Sequence, residues 1–182
     1  DEPYRKILFD GLDYPQVFSH HMRSIVATSH SKDLAIPGER IGFVAVNPIN
    51  ERKSELMDGL TFSTRTLGFV NAPALMQHIV GKLQSVTVDI KDYQRKRNFL
   101  YEQLTLLGYD VVKPQGAFYM FPRSPIEDDV EFVAELQRYN VLVVPGRGFG
   151  APGFFRISFC VDDSTLQRSI DGFRKAMSNI LS

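Results

Sequence analysis

The sequence has a single cysteine and no excess of either charge. Cys160 cannot form an internal disulfide, and the four histidines do not combine with it into a cysteine-rich metal site. The 21 Lys and Arg residues balance the 21 Asp and Glu residues, which excludes a histone-like nucleic-acid-binding protein and a disordered acidic tail. We therefore expect no metal site and no nucleic-acid partner.

Long hydrophobic runs are also missing. No stretch reaches the roughly eighteen consecutive apolar residues of a membrane-spanning helix, and no charged segment leads into an apolar stretch at the start. We expect a soluble, cytoplasmic protein with no membrane span and no signal peptide. Its 182 residues can form one domain or parts of two. The chain opens on a polar pair rather than on Met, so we expect the natural protein to extend upstream.

The first half of the chain alternates strand-like and helical patterns, which predicts an α/β fold. Short β-branched and apolar runs at 24–28 and 40–46 predict two buried strands, joined by a polar connection over 29–39. Asn50 and Pro73 are suited to begin helices that reach about residue 60 and residue 83. Strands followed by helices predict that this portion is partly parallel.

The second half predicts a long helix followed by a smaller α+β region. Apolar residues between 88 and 107 repeat with helical spacing, and Gly108 ends the pattern. Four strands are predicted, at 109–112, 117–121, 141–144 and 154–159. Two further helices are predicted at 129–139 and 164–181, the latter capped by Ser164 and Gln167. We place the domain division near the start of the long helix, giving regions 1–85 and 86–182.

Lys32 lies in the polar connection, within Ser-His-Ser-Lys, and Arg40 follows at the start of the second predicted strand. A lysine amine withdrawn from water is available in its neutral form for imine formation. Serine hydroxyls and a guanidinium suit a phosphate, so the group could hold a phosphorylated aldehyde cofactor against the lysine. From spacing alone, the simpler interpretation is that Lys32 and Arg40 are solvated loop charges.

Three other residues could take part in the same chemistry. Asp1 could pair with a protonated pyridine nitrogen and Tyr4 could hydrogen-bond a ring oxygen, although a terminal carboxylate and a strand aromatic explain them more simply. Arg156 lies in the apolar run 154–160, where its guanidinium could capture a carboxylate, form an internal ion pair or face solvent. The glycine-rich stretch 145–153 lacks a P-loop pattern, so we expect a flexible substrate-side loop.

Four separated segments together resemble the class I/II aminotransferases, the aspartate aminotransferase superfamily. They are Asp-Glu-Pro-Tyr at 1–4, Ser-His-Ser-Lys-Asp-Leu-Ala-Ile-Pro-Gly-Glu-Arg-Ile-Gly at 29–42, Pro-Gln-Gly-Ala-Phe-Tyr at 114–119, and Arg156 in its apolar strand. Their order and spacing match over essentially the whole chain. The resemblance implies the C-terminal part of a fold-type-I pyridoxal-phosphate transferase. Residues 1–85 would be the end of the large domain and its sheet, and 86–182 the small α+β domain.

The resemblance also implies a role for each candidate residue. Lys32 would form the imine with pyridoxal 5′-phosphate and move the proton of the substrate α-carbon; Asp1 would pair with the pyridine nitrogen, and Tyr4 with the ring O3′. Arg156 would bind the substrate α-carboxylate. The cofactor phosphate would be held by Ser29, Ser31 and Arg40. The substrates would be an amino acid and a 2-oxo acid, handled by a cytoplasmic homodimer in amino-acid biosynthesis.

Some family features cannot be located in this sequence, and alternatives remain open. The phosphate loop, the aromatic residue stacked on the pyridine and the asparagine near O3′ belong to the first half of such enzymes, so we expect this chain alone to be inactive. A fold-type-I lyase or decarboxylase uses the same lysine, aspartate and arginine, and a non-catalytic aminotransferase-like regulatory domain can retain the lysine. Arg65 could contact a second substrate carboxylate or be a helix-terminal charge.

Overall fold

The computed structural model describes residues 1–181 and consists of two compact units, divided between Val88 and Asp89. Both units mix helices with short strands, in agreement with the expected α/β class. Within the described residues, no helix is both long enough and apolar enough to cross a membrane.

The first unit contains two strands and four helices. In chain order they are α1 (Val17–His20), β1 (Ile25–Ser29), α2 (His30–Asp33), β2 (Gly42–Val46), α3 (Lys53–Thr66) and α4 (Ala74–Lys82), with a 3₁₀ turn at Pro37–Glu39 before β2. Both expected strands and both expected helices are confirmed. Asn50 caps the turn that leads into α3 by accepting a hydrogen bond from Arg52 N, and α3 extends beyond the predicted end at residue 60.

The pairing of β1 with β2 corrects the expectation of a partly parallel sheet. The two strands are antiparallel, with Ser29 opposite Gly42 and Ile25 opposite Val46. A parallel pair needs a crossover of about a dozen residues or more, usually a full helix, whereas the connection here holds one helical turn and one 3₁₀ turn. The chain therefore folds straight back on itself.

The expectation that both strands are buried is also wrong for the described residues. Only Val26 on β1 and Val46 on β2 are buried, because the described residues form a two-stranded sheet with no neighbouring strand on either side. The buried apolar side chains of this unit are Ile7, Phe9, Val26, Ile41, Val46 and Val80.

The second unit packs three helices against a three-stranded antiparallel sheet. Its elements are α5 (Ile90–Leu106), β3 (Tyr119–Met120), α6 (Asp129–Arg138), β4 (Val144–Pro145), β5 (Phe155–Ser158) and α7 (Asp163–Leu181), with a 3₁₀ turn at Gly146–Phe149. The strand order is β3-β5-β4. All three expected helices and three of the four expected strands are confirmed, the strands being shorter than predicted.

The strand expected at 109–112 is absent from the structure. Gly108 has a positive φ of 88° and ends α5, and Tyr109 N then donates to Leu104 O as part of the helix terminus. The Tyr109 side chain is buried, its hydroxyl donates to Phe173 O over 2.9 Å, and its ring meets Phe155 edge-on. Burial raises the pKa of Tyr109. The apolar run in the sequence therefore marks a core contact rather than a strand.

Aspartates cap the helices of this unit. Asp89 and Asp128 accept hydrogen bonds from the first backbone N–H groups of α5 and α6. At α7 the cap is Asp162, whose Oδ1 accepts from Thr165 N at 2.9 Å, and not the expected pair of Ser164 and Gln167. Ser164 Oγ donates to the same carboxylate, because the helix begins one residue earlier than predicted.

Candidate active site

Lys32 lies on the single turn of α2, immediately after β1 ends at Ser29. Its side chain is half-buried, and its Nζ is 5.9 Å from the centroid of the Tyr4 ring. A cation at this distance from an aromatic face is attracted to it. Because a strand leads directly into the turn, the position of Lys32 is tied to the sheet.

The segment 1–4 runs beside β1 and is fixed to it by two hydrogen bonds. Glu2 N donates to Ala27 O at 2.9 Å, and Thr28 Oγ1 donates to Glu2 O at 3.2 Å. This attachment explains why Tyr4 reaches Lys32. The carboxylate of Asp1 is exposed and makes no hydrogen bond or ion pair among residues 1–181.

The three candidate phosphate ligands, Ser29, Ser31 and Arg40, lie at the end of β1, on α2 and just before β2, respectively. Arg40 has a left-handed backbone, with φ of 50°, and its Nη1 donates to Pro37 O at 2.9 Å. The other guanidinium donors of Arg40 make no hydrogen bond in the described part of the chain. Ser29 and Ser31 are half-buried, and their hydroxyls likewise have no hydrogen-bond partner within that part. Polar donors are therefore available on both sides of the lysine.

Gly42 stands opposite Ser29, where the two strands approach most closely. A Cβ at position 42 would lie 2.4 Å from Thr28 O and 3.0 Å from Ser29 Cα. Only glycine fits this position without moving β1, so the lack of a side chain sets the spacing of the strands next to the serine hydroxyl.

A buried charge cluster behind Lys32 was not found from the sequence. Asp33 is 3% exposed, and its Oδ2 lies 3.4 Å from Lys6 Nζ and 3.3 Å from His30 Nδ1. The second oxygen, Oδ1, has no hydrogen-bond partner among the described residues. The backbone oxygen of Asp33 accepts from Val88 N at 2.8 Å and from Thr87 Oγ1 at 3.1 Å. The cluster thus fixes the turn of Lys32 against distant parts of the first unit, and no local pattern signals such contacts.

Arg65 lies near the end of α3, in a groove of about 410 Å³ beside β2. Its guanidinium makes no hydrogen bond or ion pair among the described residues. The groove also contains the ring of Phe43 and the side chain of Asn71. The position is compatible with either of the roles considered for Arg65.

In the second unit, Arg156 lies between aromatic side chains. Its Cζ is 4.2 Å from the centroid of the Phe149 ring and 4.4 Å from that of Tyr119. The guanidinium is half-buried and makes no hydrogen bond or ion pair in the region that the structure describes. An internal ion pair, one of the alternatives for this arginine, is therefore not what holds it. The two rings are the contacts that the sequence did not predict.

The glycine-rich stretch 145–153 is held by hydrogen bonds, contrary to the expectation of a flexible loop. Gly146 N donates to Phe154 O at 2.7 Å, and Arg147 donates to the buried Asp129 through its backbone N at 2.8 Å and its Nε at 2.9 Å. Burial raises the pKa of Asp129, but the hydrogen bonds from Arg147 outweigh it and hold that pKa below the ordinary aspartate value.

The candidate residues fall into two groups, each described within its own unit. Tyr4, Ser29, Ser31 and Lys32 lie around the end of β1, with the Tyr4 ring near Lys32 Nζ. Asp1 precedes the segment that is attached to β1, and Arg40 lies just before β2, where its guanidinium donates to Pro37 O. Arg156 belongs to the second unit, on β5. In residues 1–181, no three side chains of His, Cys, Asp or Glu gather into a potential metal site.

The sequence pattern of the family described as "Aminotransferase class I and II" matches residues 1–173. The chain belongs to this family. The resemblance seen in the four sequence segments is therefore confirmed.

Individual relatives agree with this assignment. A probable aspartate/prephenate aminotransferase of Aquifex aeolicus is 31% identical over 99% of this chain and 48% of its own length. An aromatic-amino-acid aminotransferase of Thermococcus litoralis is also 31% identical, over 97% of this chain and 48% of its own length. A crystal structure of an aminotransferase from Eubacterium rectale superposes with a TM-score of 0.93 and 41% identity, over 97% of this chain and 44% of that one. The chain thus spans about half the length of the curated relatives it matches.

Proposed function

We propose that this chain supplies the lysine and part of the cofactor pocket of a pyridoxal-phosphate-dependent aminotransferase. The enzyme transfers an amino group from an amino acid to a 2-oxo acid. The observation that carries the proposal is the position of Lys32. It is half-buried at the exit of β1 and lies against the Tyr4 ring, with serine hydroxyls and the guanidinium of Arg40 on the same connection.

The residues present fit pyridoxal 5′-phosphate. Two hydroxyls and a guanidinium with unused donors match a phosphate. A carboxylate and a phenol match a protonated ring nitrogen and a ring oxygen. In the proposed assignment these groups are Asp1, Tyr4, Ser29, Ser31 and Arg40. When bound, the cofactor supplies an electron sink for the substrate α-carbon.

The chain's own residues have distinct tasks in this proposal. Lys32 Nζ would hold the cofactor covalently. As a free amine, Nζ would accept the proton from the substrate α-carbon as the base and would then donate a proton as the acid. The Tyr4 ring limits where Nζ can lie. Arg156 binds the substrate α-carboxylate through paired N–H donors.

We extend the proposal to the organisation of the whole enzyme. The unit Asp1–Val88 corresponds to the C-terminal portion of the large cofactor-binding domain, and the unit that begins at Asp89 corresponds to the small domain. The native enzyme is a cytoplasmic homodimer that acts in amino-acid biosynthesis, and this chain alone is inactive. The relatives are named as aminotransferases, which supports transamination over a lyase, a decarboxylase or a regulatory domain. Their names give different substrates, so the amino donor of this protein stays open.

Covalent labelling tests the assignment of Lys32. The 182-residue chain is mixed with pyridoxal phosphate, reduced with borohydride and mapped by peptide mass spectrometry, alongside Lys32→Ala. We expect one dominant label, on Lys32, which the variant loses. Lys53 is a matched control because it is an exposed lysine of the same unit outside the site, and Lys53→Ala is expected to keep the Lys32 label. Labels scattered evenly over surface lysines would contradict the proposed pocket.

A further inference from the structure

The central strand of the second unit separates its side chains between two faces. Phe155 and Ile157 are buried in the core, whereas Arg156 and Ser158 alternate with them. Tyr119 on β3 pairs opposite Ser158, so its side chain lies on the same face as that of Arg156. The sheet register therefore accounts for the 4.4 Å separation between the Tyr119 ring centroid and the Arg156 Cζ.

Phe149 reaches the same guanidinium from the 3₁₀ turn that follows β4. Phe149 is 48% exposed. Its ring meets Phe121 edge-on at 6.2 Å, and Phe121 in turn stacks on Phe154 at 5.8 Å. The Phe149 ring therefore contacts both another aromatic ring and the guanidinium of Arg156.

The choice of rings rather than a carboxylate has a chemical consequence. An acidic partner would hold the guanidinium but would also occupy its N–H donors and compete with a carboxylate ligand. Aromatic rings attract the cation through their faces and accept few of its hydrogen bonds. Arg156 makes no hydrogen bond or ion pair within residues 1–181, so its donors remain available although its position is restricted.

We propose that Tyr119 and Phe149 are positioning residues, whose rings hold the guanidinium of Arg156 ready to bind a carboxylate. The inference rests on the proposed function, because it takes Arg156 as the carboxylate receptor. A flexible arginine loses side-chain freedom when it binds a ligand, and restricting the side chain beforehand lowers that cost. The rings contribute to affinity in this way without touching the carboxylate.

Nuclear magnetic resonance of the ¹⁵N-labelled 182-residue chain tests the proposal. The Nε–Hε signal of Arg156 is assigned by its loss in Arg156→Lys. Acetate is the carboxylate probe, and chloride at equal ionic strength is the control titrant. Protons above an aromatic face are shielded, so we expect an upfield Hε signal that responds to acetate and not to chloride.

Five variants separate the rings from their surroundings. Phe149→Leu and Tyr119→Leu remove one ring each, and we expect both to move the Hε signal downfield and to weaken acetate binding about two- to fivefold, the factor that corresponds to one cation–π contact. Phe149→Tyr and Tyr119→Phe keep the rings and should restore the wild-type values. Phe154→Leu removes an aromatic ring of the same cluster that does not contact Arg156, and should leave both readouts unchanged.

The outcomes distinguish this inference from the proposed function. Unchanged acetate affinity in Phe149→Leu, with the Hε signal moved downfield, overturns the inference and leaves Arg156 as a receptor. If the Arg156 signal of the wild type does not respond to acetate, Arg156 is not a carboxylate receptor, and the inference fails with that role. The assignment of Lys32 would be unaffected, because the labelling experiment tests it independently. Backbone spectra report folding. If Tyr119→Leu does not fold because Tyr119 is half-buried, the measurements on Phe149→Leu decide the test, since Phe149 is exposed.

Discussion

Gly42 shows how one missing side chain can set the geometry of the first unit. Its position opposite Ser29 was part of the sequence motif, but the reason for glycine there is a contact across the sheet with Thr28 O. Gly38, in the same connection, has open space around its Cβ position and no positive φ. The two glycines therefore have different sensitivities to a methyl group.

We expect Gly42→Ala to lower the free energy of unfolding by about 1–3 kcal/mol, because the added Cβ forces the strands apart. Gly38→Ala is the matched control and should change it by no more than about 0.5 kcal/mol. Urea unfolding followed by far-ultraviolet circular dichroism gives both values. Equal stabilities of the two variants would show that the strand pair adapts without cost.

At the scale of single residues, the sequence predicted the family but not the contacts around the candidate residues. The segments around Lys32, Arg40 and Arg156 indicated the family, since those residue types stand in a characteristic order. The contacts of the candidate residues were not predictable. Asp33 meets Lys6, and Arg156 meets Tyr119, across long separations along the chain. Such contacts depend on how elements pack, which local patterns do not encode.

At the scale of elements, helices were predicted more accurately than strands. The periodicity of α5 and the glycine after it placed both helix ends closely, because these signals are local. Strand burial and direction depend on neighbouring strands, so β1 and β2 were wrongly expected to be buried in a partly parallel sheet. The strand expected at 109–112 does not form; Tyr109 is buried against α7, whereas Val112 is 81% exposed.

The link between α6 and the 3₁₀ turn at Gly146–Phe149 gives an element-scale prediction about pH. The folded-state pKa of Asp129 is depressed, so this carboxylate contributes stability above its unfolded pKa of about 3.9, and the contribution is lost as pH falls through the folded value. We expect Asp129→Asn to be less stable than the wild type at pH 7 and to lose less stability between about pH 5 and pH 2.

Urea midpoints measured across that pH range test the role of Asp129. Asp110→Asn is the control, because Asp110 is exposed and its side chain makes no hydrogen bond or ion pair among the described residues. This control should follow the wild-type curve. If the urea midpoint of Asp129→Asn equals that of the wild type at every pH, the carboxylate charge does not stabilise the stretch 145–153.

At the scale of the whole molecule, the two units differ in how much core they possess. The second unit buries several rings together, including Phe155, which contacts both Phe132 and Phe173. The first unit has few buried apolar side chains and a two-stranded sheet, while Phe43 and Val44 on β2 remain exposed. A two-stranded sheet has little stability of its own.

We expect hydrogen–deuterium exchange to show lower protection in residues 1–88 than in residues 89–181 as urea increases. Peptide-resolved mass spectrometry follows both units in one sample, so each serves as the internal reference for the other. The difference follows from the larger buried apolar area of the second unit. Simultaneous loss of protection in both units would mean that they unfold as one cooperative body.

Buried and unburied side chains alternate along β5, so its pairing register decides which residues enter the core. A slip of one residue in the pairing of this strand would turn Phe155 and Ile157 outward and carry the guanidinium of Arg156 into the core. In that register Phe155 and Ile157 would lose their packing in the core, and Arg156 would leave the rings of Tyr119 and Phe149. The register that buries the two apolar side chains is therefore also the one that keeps a charge out of the core.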